Sequence, residues 1–256
     1  MIEAISFGIL QGLTEFLPVS SSGHVFFLGK LSIYPTYNLP LMISIHIGTT
    51  LSIVFYFRSR IKSMLVALKK IKEISYNEER KLWKYLFIAS IPAAIAGIFL
   101  ERLIEEISTI RLVGTCWIIN GIILVFGELI SQKKREQKDI NLLMSLFIGI
   151  FQATAILPGI SRSGATITAA RISGMEAYKA FEFSFLLGVI AIIGSFLLEV
   201  IKKPEGFTGV CFASGAIAFL SGYLALAVLA KIVKLNEMKW FGYYTILVGF
   251  LVLFKW

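Results

Sequence analysis

Two short stretches concentrate the side chains capable of chemistry. The first, QGLTEFLPVSSSGH at 11–24, carries the carboxylate of Glu15, the hydroxyls of Ser20, Ser21 and Ser22, and the imidazole of His24. The second, PGISRSGAT at 158–166, surrounds the guanidinium of Arg162 with the hydroxyls of Ser161, Ser163 and Thr166. A guanidinium presents a planar donor fork that matches phosphate oxygens, and Ser or Thr hydroxyls with helix-end amides complete a cradle for an oxyanion. A hydroxyl near a histidine and an acid has the parts of an activated nucleophile. The combination suits phosphoryl transfer, where positioning and charge neutralisation supply most of the rate. Plainer readings compete: Glu15 and Arg162 could pair for structure alone, and His24 could be a core histidine with its hydrogen bonds met. Lys30 and Arg171 read equally as further phosphate ligands or as side chains reaching out to the interface. Glu182 and His46 are weaker candidates, suited to headgroup contact and interhelical hydrogen bonding.

The elements that must position these groups belong to a strongly apolar chain. Of its 256 residues, 57% are hydrophobic and 16% charged, more apolar than a soluble domain of this size, which predicts one all-α polytopic membrane domain over 1–256. Apolar runs at 41–57, 85–100, 112–130, 183–201, 209–230 and 242–254 predict about six transmembrane helices. The Met-Ile-Glu start lacks the basic region and cleavage site of a signal peptide, so the first apolar segment is expected to stay in the protein. Residues 58–84 hold nine Lys/Arg against three Glu, and 131–141 hold four basic against two acidic residues, which predicts cytoplasmic loops; 101–111, with three Glu and two Arg, is the outward loop between them. Lys202 and Lys203 fall in a predicted outward loop and run against that scheme. The net charge of +9 thus follows topology and excludes a nucleic-acid surface, since no aromatic-interleaved basic patch accompanies it. Cys116 and Cys211 lie inside predicted spans without a CxxC, and read as packing residues.

Shifting the chain by 141 positions aligns GILQGLTEFLPVSSSG (8–23) with GIFQATAILPGISRSG (149–164), matching six residues in sixteen. Lys30 and Arg171 occupy equivalent places in that alignment. Each copy starts apolar, meets a Pro, and continues with Ser and Gly, a composition that ends one helix and caps the next. The pattern predicts two re-entrant, broken helix pairs. Three predicted spans follow each copy, and an odd number places the halves, about 1–140 and 141–256, in opposite orientations, an inverted-topology repeat. Irregular backbone at membrane depth survives only where protein or a wet cavity surrounds it, so the breaks are expected to meet in the interior, with helix N-termini aimed at one anion.

QGLTEFLPVSSSGH and PGISRSGAT resemble the two signature motifs of the undecaprenyl-diphosphate phosphatase family, also called the bacitracin-resistance family, and IHIGT (45–49) and EFSFLLG (182–188) extend the similarity along the chain. The resemblance implies an integral membrane enzyme that converts a C55-type polyprenyl diphosphate to the monophosphate carrier used for cell-envelope glycans. It further implies a divalent metal, Mg2+ or Ca2+, a place in the plasma membrane with the active site opening to the outer face, and the lipid and membrane as partners; it allows a homodimer. The acidic motif falls on Gln11 and Glu15, the Ser/His segment on Ser20, Ser21, Ser22 and His24, and the arginine motif on Ser161, Arg162, Ser163 and Thr166. Glu15 is the expected metal ligand, with Gln11 a second. Gln11 stands where many members have Glu, and an apolar residue near Met42 replaces a common carboxylate, which bears on the metal arrangement. The nucleophile is Ser21 activated by His24, His24 itself, or a water, with Glu15 orienting His24 or holding metal. Two other classes compete. Inverted repeats with broken helices are also the architecture of transporters of lipid phosphate or a small anion. The acid-phosphatase superfamily of membrane lipid phosphatases needs a later His and Asp, and no His or Asp follows Arg162.

Overall fold

The computed structural model describes residues 2–31, 39–70, 73–133, 139–200 and 206–256, and these are helical with no strand. In the first half, α1 (Ile2–Phe16) breaks into α2 (Ser21–Lys30), followed by α3 (Leu39–Tyr56), α4 (Arg58–Lys69), a 3-10 turn at Ile74–Tyr76, α5 (Asn77–Ile107) and α6 (Ile110–Lys133). In the second, α7 (Leu142–Thr154) breaks before α8 (Arg162–Ile172), and α9 (Ala177–Val200), α10 (Gly209–Leu235) and α11 (Lys239–Lys255) follow.

Among the described residues, five segments are long and apolar enough to cross a membrane: Leu39–Tyr56, Ile74–Ile107, Ile110–Gln132, Ala177–Gly194 and Gly209–Leu235. Large apolar side chains such as Ile95, Ile98 and Phe99 on α5 and Leu220, Leu224 and Val228 on α10 point outward, the arrangement of a surface solvated by lipid. The chain is an all-α polytopic membrane protein. The run expected as a sixth span forms α11, a helix of 17 residues lying along α6.

The charged stretches are more helical than their composition predicts. Residues 58–84 contain α4 and the first turns of α5, and α5 continues through Glu101, Glu105 and Glu106 to Ile107. Lys, Arg and Glu are good helix formers, so a span need not end where its apolar run ends. At the basic end, Arg60 joins three helices, pairing with Glu79 at 3.0 Å and Glu182 at 2.7 Å. Glu182, a candidate for headgroup contact, is therefore an internal ion-pair partner. Lys202 and Lys203 lie outside the described residues.

Helices from the two halves interlock. α1 and α3 both lie on α10, α7 lies on α5, and α6 runs against α11. Between apolar helices in lipid the attraction is mainly dispersion, so small residues that let backbones approach are the means of tight packing. At α3–α10 a Cβ on Gly48 would stand 2.1 Å from Gly215 O, and one on Gly215 would stand 2.6 Å from Ser44 O. α8 is the extreme case: its residues 163–170, SGATITAA, are buried without a break and are ringed by α6, α7 and α9. In α2 only Gly23 is buried. The two helices after the breaks thus differ in depth: the buried stretch 163–170 of α8 is mostly of small side chains, whereas α2 carries Phe26, Phe27 and Leu28.

Gly48→Ala should cost about 1–3 kcal/mol, since two backbones must separate. Thermal unfolding in detergent would register this as a lowered midpoint, whereas Gly29→Ala, with nothing within 4 Å of the added Cβ, should leave the midpoint unchanged or slightly raised.

Candidate active site

A helix broken inside an apolar interior leaves carbonyls at one end and amides at the next without partners. Here five backbone groups of the two breaks are met by side chains distant in sequence. Phe16 O accepts from Ser163 Oγ at 2.9 Å, Pro18 O from Asn120 Nδ2 at 3.0 Å, and Val19 O from Trp117 Nε1 at 3.1 Å. In the second break, Ser161 N donates to Asn120 Oδ1 at 2.9 Å and Gly159 N donates to Ser20 Oγ at 3.1 Å. Asn120 and Ser20 therefore staple the breaks to each other. Gly159 has φ +111°, and a Cβ there would meet Cys116 Cβ at 2.5 Å, so the close crossing with α6 requires glycine.

The caps recur 141 positions apart, at the offset of the sequence alignment. Ser20 Oγ accepts from Gly23 N at the start of α2, and Ser161 Oγ accepts from Gly164 N at the start of α8. Their backbones differ: Ser161 is extended at φ −82°, whereas Ser20 has φ 67°. A non-glycine residue held there costs about 1–3 kcal/mol, which is tolerated when surrounding bonds over-determine it. The bonds at Ser20 Oγ supply that constraint, together with Ser20 O accepting from His24 Nδ1–H at 2.8 Å.

At this junction Arg162 Nη2 donates to Glu15 Oε1 at 3.0 Å, while its Nη1 donates to Gly188 O at 3.1 Å. The other carboxylate oxygen, Glu15 Oε2, accepts from Ser21 Oγ at 2.7 Å and from Gln11 Nε2 at 2.9 Å. Gln11, Glu15, Ser20, Ser21, Ser22, Ser161 and Arg162 all line a cavity of about 730 Å3, which also reaches Glu101, Glu105 and Ser108 at the C-terminal end of α5. An acid, a guanidinium with unused donors and a row of hydroxyls thus converge on one open cavity, an arrangement able to hold a phosphate and to take a proton from a serine.

Other expected site residues lie apart. His24 is not in that lining and does not bond Ser21 or Glu15; its Nδ1–H goes to Ser20 O, and Nε2 accepts from Tyr244 OH at 2.8 Å. Its ring also packs edge-on to Trp117, with centroids 5.0 Å apart. Ser163 is spent on Phe16 O, and Thr166, fully buried, donates to Arg162 O at 2.8 Å and meets the Ser184 hydroxyl. Lys30 is exposed over the Phe26 ring. Arg171, at the far end of α8, donates to Met175 O and Asn236 Oδ1. The reason is helical geometry, which carries Lys30 and Arg171 to the last turns of their helices while the ligand-facing groups sit at the first. Cys116 and Cys211 are buried and unpaired thiols, as their positions within spans predict.

Several residues of the site escape a reading by motif. Asn120 and Trp117 sit inside the apolar run 112–130, and only the rarity of a buried amide at membrane depth marks Asn120. His46, by contrast, a weaker candidate within IHIGT, lines the cavity from α3. Gln152 matches Gln11 in the repeat, and its amide has no hydrogen-bond partner among the described residues.

Fold and site together define an integral membrane protein whose two broken helices close around a hydroxyl-lined, charge-paired cavity. Within that class the chain belongs to the family described as Bacitracin resistance protein BacA, which matches residues 4–251. It is 37% identical over 266 residues to an undecaprenyl-diphosphatase of Alkaliphilus metalliredigens, covering 98% of this chain and 97% of that protein. Proteins of the same name from Methanococcus maripaludis, 35% identical over 253 residues, and Korarchaeum cryptofilum, 34% identical over 266 residues, each match 98% of this chain and cover 99% and 97% of their own lengths.

Asn120→Leu keeps the volume but strands Pro18 O and Ser161 N in an apolar interior. It should lower the unfolding free energy by about 1–3 kcal/mol for each group left unmet, seen as a lowered thermal midpoint in detergent, and it should loosen both breaks at once.

Proposed function

We propose that this chain hydrolyses a polyprenyl diphosphate of the undecaprenyl class to the monophosphate and inorganic phosphate, recycling a lipid carrier for cell-envelope glycan synthesis. The observation that carries the reading is the hydrogen bond from Ser21 Oγ to Glu15 Oε2, 2.7 Å, on a carboxylate whose other oxygen is held by Arg162. Family membership and the relatives' name support the substrate class.

In this reading the terminal phosphate lies between the Arg162 donors and the hydroxyls of Ser20, Ser22 and Ser161. Ser21 Oγ attacks the terminal phosphorus as its proton passes to Glu15. The bond from that phosphorus to the bridging oxygen breaks, and the prenyl monophosphate leaves. Glu15 hands that proton to the departing monophosphate; water, giving its proton to the freed carboxylate, then attacks the phosphoserine phosphorus, and the proton returns to Ser21 Oγ as inorganic phosphate leaves. Arg162 neutralises charge throughout, the dominant contribution in a loose phosphoryl transfer. His24 acts as a positioning residue: by bonding Ser20 O it fixes the strained turn that presents Ser21.

Among the described residues no group of three or more His, Cys, Asp or Glu forms a protein-only metal cage. The oxygens present fit a hard cation shared with substrate: Glu15, and Gln11 Oε1, a buried acceptor with no partner among the described residues. Bound there, Mg2+ or Ca2+ would offset phosphate charge.

The chain is assigned to the plasma membrane with its cavity open to the outer face. The support is that the cavity extends to Glu101, Glu105 and Ser108, at the end of α5 opposite the basic stretch 58–84, which the positive-inside rule assigns to the cytoplasm. The two halves are assigned as inverted repeats, supported by the Ser20 and Ser161 caps and by the reciprocal packing of α1 on α10 and α7 on α5.

Purified protein in detergent should release phosphate from a long-chain polyprenyl diphosphate, and EDTA should suppress that release. Arg162→Ala, Glu15→Gln and Ser21→Ala, checked for folding, should each lose about 10²–10³-fold or more in kcat. Rapid quench and phosphopeptide mapping should place the label on Ser21. A labelled histidine would remove the serine mechanism, and no release by well-folded wild type across metals and lipids would remove the phosphatase reading.

A further inference from the structure

Gln152, on the last turn of α7, is only 4% exposed, and neither its Nε2 nor its Oε1 has a hydrogen-bond partner among the described residues. A buried amide left unpaired is costly, and a leucine of similar size would remove the cost. The amide therefore points to a partner that the bare protein lacks.

Its surroundings say which. Gln152 borders a second cavity of about 370 Å3 whose lining also includes Glu15, Arg162 and His46, three residues that line the larger cavity too. Ser20, Ser21 and Ser22 face the larger cavity and not this one. The ion pair thus stands between a hydroxyl-bearing chamber and a chamber otherwise walled by small or apolar residues, among them Ala93, Gly97, Ala153, Ala191 and Ile192. Gln11, the repeat equivalent 141 positions earlier, faces the hydroxyl chamber with its own unpartnered Oε1. The two equivalent helices each deliver an amide, one to either side of the Glu15–Arg162 pair.

A prenyl diphosphate has the same division along its length: a terminal phosphate, an ester phosphate, then hydrocarbon. With the terminal phosphate at Ser21, the ester phosphate falls on the Gln152 side of Arg162 and the first prenyl units enter the small-walled chamber. We infer that Gln152 binds the ester phosphate, the one that stays on the lipid, through Nε2–H donated to a non-bridging oxygen. The inference rests on the phosphatase reading for the orientation of the substrate. Gln152 then recognises substrate and lipid product alike and makes no contact with inorganic phosphate.

The test compares wild type, Gln152→Leu and Gln152→Glu, all full length in detergent. It measures KM and kcat for phosphate release, inhibition constants for prenyl monophosphate and inorganic phosphate, direct calorimetric binding of prenyl monophosphate, and thermal midpoints. Gln152→Leu should raise KM and the monophosphate constants by about tenfold, the weight of one hydrogen bond to a charged group. It should leave the inorganic phosphate constant unchanged and the thermal midpoint unchanged or higher. Gln152→Glu, which sets a carboxylate against the phosphate, should weaken monophosphate binding further. Unchanged monophosphate constants in both variants, or an inorganic phosphate constant that rises in parallel, would overturn the assignment. Wild type that binds prenyl monophosphate yet releases no phosphate would sink the hydrolysis reading alone, leaving the binding comparison to decide Gln152.

Discussion

A charge at membrane depth needs its opposite close by, and the Glu15–Arg162 pair is the contact on which the site is organised. Neither side chain is fully sealed: the carboxylate is 12% and the guanidinium 20% exposed, both toward the cavities they line. That partial access is chemically useful. A fully buried pair would be inert and expensive, with desolvation exceeding the Coulombic gain, while a fully exposed one would be too weakly held to orient a serine. Each partner also keeps hydrogen-bonding capacity beyond the pair, Glu15 toward Ser21 and Gln11 and Arg162 toward Gly188, so the pair behaves as a hub.

The hub can exist only because the chain tolerates two breaks in its helices, and tolerance has a specific origin. Regular helices satisfy their own backbone, whereas broken ones in an apolar medium must borrow partners. Those partners are Asn120, Trp117, Ser163 and Ser20: α6 serves the first break from the same half with Trp117 and Asn120, while Asn120 also serves the second break, Ser163 of α8 serves the first and Ser20 serves the second, so that three of these bonds cross between the halves. Fold and site are consequently the same set of bonds. The strained backbone of Ser20 lies at their centre, one residue before the hydroxyl proposed to react.

The two breaks, alike in sequence at an offset of 141 positions, sit in different surroundings. α8 is buried over 163–170, a stretch mostly of small side chains, and contributes the cation; α2 lies shallower and contributes the Ser21 and Ser22 hydroxyls. The matched glutamines show the same divergence, Gln11 tied to Glu15 and Gln152 untied in a more apolar chamber. Groups at matching positions of the two segments thus come to one centre in unlike surroundings, which is the basis of the proposed placing of the two phosphates.

Much was legible from composition, spacing and motif: the membrane class, the helical breaks with their serine caps, and the grouping of Glu15, Ser21 and Arg162 are local or periodic properties, set by hydropathy, by proline and by capping chemistry. Lys30 and Arg171, equivalent in the repeat alignment and read equally as phosphate ligands or interfacial side chains, and Thr166 of the arginine motif have other partners, set by helical phase or distance from the cap, and the His24 ring bonds Ser20 O and Tyr244. Tyr244 is 220 positions away in the chain, and no pattern within either motif refers to it. Asn120, Trp117 and Gln152 owe their places to the crossing of α6 and α7 with elements distant in sequence. The sequence by itself determined which residues carry chemistry and where the helices must break, because both depend on neighbours along the chain. Only the tertiary structure decided which of those residues meet, which acid stands beside Ser21, and which amide is left without a partner, because those depend on distances between helices that the chain brings together from opposite halves.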